Sequence, residues 1–166
     1  MTSGRVWKFG DDVNTDLIIP GKYLDNYDPR HLASHAMEGA SEEFAKKVSE
    51  GDVVVAGKNF GCGSSREQAV IALKHAGVAV VIAESFARIF YRNAVNLGLP
   101  VLVSRNASRV LEDGDWVGWD GASLTIVASG PREPVEVEDM PSNVRDILSA
   151  GGLVPYIKRR LEHGRG

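Results

Sequence analysis

The sequence predicts an α/β fold with a parallel β-α-β-α-β core and a small extra β layer, and three observations carry that expectation. Two apolar runs, Asp52 to Ala56 (DVVVA) and Val78 to Ala83 (VAVVIA), are continuous rather than alternating, as strands covered on both faces must be. Each is followed by a segment of helical apolar spacing that ends at a glycine, Gly77 or Gly98. Beyond Asp113 the pattern changes to short β-prone runs separated by Asp-Gly turns.

Taken in order, Gly4 to Phe9 alternates weakly and predicts a short strand, and the polar run Asp11, Asp12, Asn14, Thr15, Asp16 predicts a loop. Asp28-Pro29 pairs an N-cap acid with proline at the first helical position, so a helix is expected through about Glu38, with a second short one over Ser41 to Val48. Asp52 to Ala56 opens the core. A glycine-punctuated loop and a helix follow, the helix starting at Ser64 or Ser65 and ending before Gly77. Val78 to Ala83 is the second core strand, Ser85 to Leu97 the second helix, and Leu99 to Val103 the third strand. This order implies parallel pairing through right-handed crossovers. Trp116 to Trp119, Leu124 to Val127 and Val135 to Val137 make up the extra β layer. Helices over Ser142 to Ser149 and Val154 to Leu161, parted by Gly151-Gly152, finish the chain. With no internal repeat or linker, the 166 residues are expected to form a single domain, 1–166.

Composition excludes more than it assigns. A net charge of −3 with 25% charged and 43% hydrophobic residues offers no electrostatic reason for nucleic acid or an anionic membrane as partner. The start, MTSGRVWKFGDD, lacks the basic and apolar stretches of a secretory signal, and no apolar run approaches the ~18 residues of a membrane span, so a cytoplasmic location is expected. Cys62 is the only cysteine; no disulfide and no cysteine-based zinc or iron–sulfur site can be completed within one chain.

Asn59-Phe60-Gly61-Cys62-Gly63-Ser64-Ser65-Arg66-Glu67 carries the most chemistry. Between a buried strand and a helix start, unpaired N–H groups and the positive end of the helix dipole converge, which suits an anion. Gly61 and Gly63 allow close backbone approach, two hydroxyls stand ready, and Arg66 is suited to gripping a carboxylate in a bidentate pair. The same residues also have a purely structural reading, since Ser64 with Glu67, or Ser65 with Gln68, spells a capping box. A Walker phosphate loop is excluded because no Gly-Lys-Ser/Thr follows. The dinucleotide pattern is half met: Arg66 stands where its third glycine belongs, although Glu84 sits where a ribose-binding acid would.

Other clusters are weaker. His31, His35 and Glu38 have a spacing that puts metal ligands on one helix face, but surface placement explains them as well. Asp12-x-Asn14-x-Asp16 imitates a calcium loop, yet Leu17 replaces its glycine and Tyr23 its closing glutamate. Cys62 reads either as a redox-sensitive thiol or as a small residue beside a ligand. Arg88, Tyr91, Arg92 and Asn93 stand on the second core helix, suited to supporting the Ser64 loop, touching another subunit or serving as solvated charges.

Gly61-Cys62-Gly63-Ser64-Ser65-Arg66-Glu67, together with Ser85-Phe86-Ala87-Arg88-Ile89 and Asn93, resembles the aconitase swivel domain. Asn14-Thr15-Asp16-x-Ile18-Ile19-Pro20, the tail Ala150-Gly151-Gly152-Leu153-x-Pro155-Tyr156 and the length narrow the likeness to the small subunits of 3-isopropylmalate dehydratase and its close relative homoaconitase. The resemblance spans nearly the whole chain. It implies a swivelling β/β/α domain and a hydro-lyase that isomerises 2- and 3-isopropylmalate in leucine biosynthesis by dehydration and rehydration. It further implies a large partner subunit carrying a [4Fe–4S] cluster, without which this chain is inactive. A homo-oligomer of the isolated chain stays open.

By matching positions, Ser64 is implied as the base and Asp16 as an acidic residue of the active site, with Ser65 and Arg66 as carboxylate ligands and Gly63 beside them. Family members differ in the loop after Asp16, so Tyr23, Leu24, Asp25 and Asn26 are implied to face the variable substrate group. Homoaconitase-like chains tend to place an arginine after Tyr-Leu and isopropylmalate enzymes apolar residues. This chain has Asp25-Asn26, with Arg30 on the next helix, so homoaconitate or another substituted malate stays open as substrate. A stand-alone anion or dinucleotide-binding module is the alternative of another class.

Overall fold

The computed structural model describes residues 2–121 and 125–164. Four strands run parallel: β1 (Thr2–Lys8), β2 (Val53–Ala56), β3 (Val80–Ala83) and β4 (Val101–Val103). Two more, β5 (Trp116–Asp120) and β6 (Thr125–Ala128), are antiparallel, and the sheet order is β4-β3-β2-β1-β5-β6. The predicted parallel core is present, with β1 added to it as a fourth strand.

The continuous apolar runs have a direct physical basis in this arrangement. Val54, Ala56, Val81 and Ala83 point into one buried cluster with Trp7, Phe44, Phe60, Leu73 and Phe90. Their neighbours Val53, Val55, Val80 and Ile82 point into a second, with Val6, Leu102, Val117, Trp119 and Ile126. A strand with a core on each side has no solvent face on which to place polar residues. The first cluster is roofed by the crossover helices α4 (Glu67–His75) and α5 (Arg88–Leu97) and by the β1–β2 connection, which contains α1 (Thr15–Ile18), α2 (Pro29–Ala33) and α3 (Phe44–Lys47). The second lies towards β5, β6 and α6 (Ala107–Val110). The last two helices, α7 (Ser142–Ala150) and α8 (Leu153–His163), pack on α5.

β1 changes partner along its length. Thr2 to Arg5 pair with Trp119 to Trp116 of β5, whereas Val6 to Lys8 pair with Val53 to Val55 of β2. The extra β layer is therefore hydrogen-bonded to the parallel core through one shared strand. Where that sharing begins, Asp52 is buried, accepting from the Arg5 N–H at 3.0 Å, Trp7 Nε1–H at 2.9 Å and the Ser49 N–H at 2.9 Å.

Several expected boundaries move. The polar run before Ile18 is not all loop, because the Asn14 side chain accepts from the Leu17 N–H and starts the single turn of α1. The helix expected from Pro29 to Glu38 stops at Ala33: Met37 adopts φ +59° and gives its N–H to the Ile18 carbonyl, so tertiary pairing replaces the helical ladder. The helix expected over Ser41 to Val48 shrinks to α3. Val135 to Val137 form no strand; the segment is held instead by the Glu136 N–H on Asn106 Oδ1 at 2.8 Å and the Glu138 N–H on the Val103 carbonyl at 2.9 Å. Leu124, in the expected run Leu124 to Val127, lies outside the described residues. No described helix is long and apolar enough to cross a membrane.

Candidate functional site

Three stretches leave the carboxyl ends of β1, β2 and β3, and backbone hydrogen bonds stitch them side by side. The Gly61 N–H donates to the Val13 carbonyl at 2.7 Å and the Thr15 N–H to the Cys62 carbonyl at 2.8 Å. On the other flank the Phe60 N–H donates to the Ser85 carbonyl at 3.0 Å and the Ala87 N–H to the Phe60 carbonyl at 2.9 Å. Asn14 and Phe86 thus lie on either side of the Phe60–Cys62 stretch. Gly61 is required here: at φ +82° an added Cβ would overlap the Phe90 ring of α5.

The helix after this loop does not open at Ser64 or Ser65. It starts at Glu67, with Arg66 in extended conformation (φ −137°, ψ 103°) as an N-cap that makes no side-chain capping bond. The expected capping box is therefore not what orders the loop. Ser64 is instead anchored by its carbonyl, which accepts from the buried Thr15 hydroxyl at 3.0 Å. Gly63, Ser64 and Ser65 are exposed, and beside them lies a depression of about 270 Å³. Thr15, Gly63, Ser64, Ser65 and Arg66 form one wall, and Arg88, Ile89 and Asn93 of α5 the other.

Fifty residues apart in sequence, Asp16 and Arg66 meet across this loop. Arg66 Nη1 stands 3.2 Å from Asp16 Oδ1 and donates as well to the Ile19 carbonyl at 3.2 Å. The Gly21 N–H donates to the same Asp16 oxygen at 3.1 Å. That N–H first, and the guanidinium after it, hold the Asp16 carboxyl below the usual carboxylate range. The Arg66 side chain is only 19% exposed and Asp16 is 67% exposed, so an anchored cation faces an accessible acid at the rim.

Tyr23, Leu24, Asp25 and Asn26 are not among the residues lining the depression. The 3-10 turn Gly21–Tyr23 starts beside Asp16. Tyr23 gives its hydroxyl to Glu38, Leu24 packs against the first core cluster, Asp25 is exposed, and Asn26 Oδ1 accepts from the Asp28 N–H. The residues of the calcium-like pattern are divided among separate tasks: Asp12 accepts from Asn59, Asn14 caps α1 and Asp16 pairs with Arg66. Arg92 and Tyr91 do not line the depression; Tyr91 packs on Phe86, and burial pushes its phenol up. Thr15 was not distinguishable in sequence from any other loop threonine, although it ties two of the stretches together.

Among the described residues no group of three or more His, Cys, Asp or Glu side chains is placed to hold a metal ion. Half-buried Cys62 stands alone, so the donor set of this chain does not fit an iron–sulfur cluster.

Residues 12–106 match the model of the aconitase C-terminal domain family. The chain is 55% identical over 156 residues to the 3-isopropylmalate dehydratase small subunit 1 of Methanopyrus kandleri, covering 94% of this chain and 92% of that one. It is equally 55% identical over 157 residues to the methanogen homoaconitase small subunit of Methanocaldococcus jannaschii, covering 95% and 91%. A crystal structure of 3-isopropylmalate dehydratase from Methanocaldococcus jannaschii superposes with a TM-score of 0.91 at 53% identity, over 99% of both chains.

Proposed function

The chain belongs to the aconitase C-terminal domain family, and on that premise we propose that it is the small subunit of a two-subunit hydro-lyase acting on a substituted malate, with isopropylmalate as first substrate. The observation that carries this reading is that Ser64, Ser65 and Arg66 line one open depression while Arg66 is paired with Asp16, which lies outside the lining. An anchored guanidinium beside two free-standing hydroxyls is suited to a carboxylate, and a malate presents one next to the carbon that loses its proton.

In this mechanism Ser65 and Arg66 hold that carboxylate and Ser64 takes the proton from the adjacent carbon. The electron pair of the broken C–H bond forms the double bond as the C–O bond on the neighbouring carbon breaks, and the hydroxide takes up a proton to leave as water. Re-addition of hydroxide to the carbon that lost its proton, with Ser64 returning that proton to the other carbon, completes the isomerisation. A serine hydroxyl is a poor base, so its alkoxide must be stabilised by the N-terminal amides of α4 and by Arg66 in a site closed to water. Gly63, Ser64 and Ser65 are exposed in this chain, so that closure has to come from another surface. We assign it to a large subunit. No described residue of this chain would hold the [4Fe–4S] cluster that goes with this reading; carried by the large subunit, it would supply Lewis-acid chemistry. A cytoplasmic location goes with this reading.

A second substrate is favoured by a specific finding: relatives named for isopropylmalate and for homoaconitate stand at the same 55% identity. Overall likeness does not separate them; the resemblance assigns selection to Tyr23 to Asn26, and since these do not line the depression, the reading puts the variable substrate group outside it, on the loop that starts beside Asp16. The test is an anaerobic assay of the chain reconstituted with a large subunit on 2-isopropylmalate, homoaconitate and citraconate. Turnover of isopropylmalate by the pair, and none by the chain alone, is expected; activity of the iron-free chain alone would overturn the reading. Replacing Asp25 by arginine is expected to shift preference towards homoaconitate, because it exchanges a repelling carboxylate for a pairing cation. Unchanged relative rates would remove Asp25 from the selecting loop.

A further inference from the structure

The spacing of His31, His35 and Glu38 belongs to an arrangement that neither metal binding nor surface placement describes. Tyr23, from the turn after Asp16, lies flat on the His35 ring, with centroids 3.6 Å apart and planes inclined by 7°. Its hydroxyl donates to Glu38 Oε1 at 2.6 Å, and His35 Nδ1 stands 2.6 Å from Glu38 Oε2. The two carboxylate oxygens thus have separate partners, one on the loop and one on the neighbouring turn. His31 meets both rings edge-on, 5.8 Å from Tyr23 and 5.1 Å from His35, and the Lys22 ammonium lies 5.2 Å from the centre of the Tyr23 ring.

The ground on which Glu38 stands is firm. Met37 gives its N–H to the Ile18 carbonyl at 2.7 Å and Gly39 to the Leu17 carbonyl at 3.1 Å, so the residues on both sides of Glu38 are bonded to α1, the helix that carries Asp16. Contact is so close that a Cβ on Gly39 would stand 2.7 Å from Leu17 Cα. The loop from Gly21 is consequently held at two points relative to the same helix: at its start by Asp16 on the Gly21 N–H, and two residues later by Glu38 on the Tyr23 hydroxyl.

We propose that Glu38, oriented by His35, is a positioning residue for substrate selection, acting through Tyr23 to fix Leu24, Asp25 and Asn26 relative to the Asp16–Arg66 pair. Glu38 does not line the depression, and its effect on chemistry is indirect. The geometry favours this over a merely structural bond because the contact joins a half-buried, tightly bonded segment to the loop whose sequence is expected to differ with substrate. The proposal rests on the reading that this loop faces the variable group of a malate.

The test compares wild type, Glu38→Ala, Glu38→Gln and Tyr23→Phe in two measurements. Amide exchange in the full chain, which needs neither substrate nor partner, follows the Tyr23 and Leu24 N–H groups bonded to the Pro20 and Gly21 carbonyls. Steady-state kinetics of the reconstituted pair give kcat and KM for isopropylmalate and homoaconitate. Glu38→Ala and Tyr23→Phe are expected to speed exchange at both amides and to change the ratio of kcat/KM for the two substrates by about tenfold, mainly through KM, as loss of one charge-assisted bond allows. Glu38→Gln keeps an acceptor for the tyrosine and is expected to restore most of the ratio. Unchanged exchange overturns the proposal, and so does faster exchange with an unchanged ratio. A wild-type pair that turns over neither compound overturns the substrate reading and with it the selective role, whereas the exchange rates still decide whether Glu38 holds the loop.

Discussion

Two aspartates held by hydrogen bonds stand at opposite ends of the parallel strands, Asp52 just before β2 and Asp16 in α1 beyond the end of β1, and they are built for opposite purposes. Before β2, Asp52 is 4% exposed and accepts from two backbone amides and the Trp7 indole, two of these donors belonging to β1 itself. Beyond β1, Asp16 is 67% exposed and pairs with one amide and a guanidinium. The first carboxylate is buried out of reach of a guest. The second shares an arginine that is itself suited to binding a carboxylate, so under the proposed function a substrate would compete with Asp16 for Arg66. Ligands in parallel sheets gather at the carboxyl ends of strands for this reason: the chain has loops to spare there, and its polar groups need not be committed to the fold.

The sharpest way to widen the contrast is Ser64→Ala in the reconstituted pair. Turnover should fall by about 10²- to 10⁴-fold, the usual worth of a positioned base, while complex formation persists. Size-exclusion of the pair alongside the assay separates the two, and retained turnover would remove Ser64 as the base. Asp52→Ala should do the reverse. It orphans one buried and two partly buried donors and should cost roughly 3 kcal/mol of stability, measured by urea unfolding, while molecules that remain folded keep their kcat. A large kcat loss at full stability would erase the distinction between the two ends.

The smallest effect concerns pH. Because the folded-state pKa of Asp16 is depressed, its ion pair contributes to stability above the unfolded pKa, and that contribution disappears as pH falls through the folded value. Melting temperatures of wild type and Asp16→Asn should therefore differ near neutrality and converge in acid. A gap that grew on acidification would reverse the assignment.

The framework was legible because its strands have no solvent face: Val53 to Ala56 and Val80 to Ala83 could hardly be written otherwise. Local capping was a poorer guide. Ser64 and Glu67 match a capping box, but Thr15 holds the Ser64 carbonyl and Arg66 stays extended, so a contact 49 residues away displaces the local rule. The helix after Pro29 is cut short in the same manner, by Ile18 accepting the Met37 N–H. In the site, Arg66 and its loop announced a carboxylate by themselves, whereas Asp16 was linked to them only through family resemblance. His35 and Glu38 were visible as a pair, but their third member, Tyr23, arrives from another segment, and no spacing rule reaches it.

The shared strand β1 also bears on how the molecule comes to exist. Its first four paired residues wait for Trp116 to Trp119, and its last three for Val53 to Val55. β1, made before the other five strands, is completed among the last. Until more than 110 residues have followed it, Thr2 to Arg5 form an unpaired strand edge, the kind of surface on which nascent chains associate wrongly. Any fragment ending before β5 should share that hazard permanently, even if its parallel core assembles.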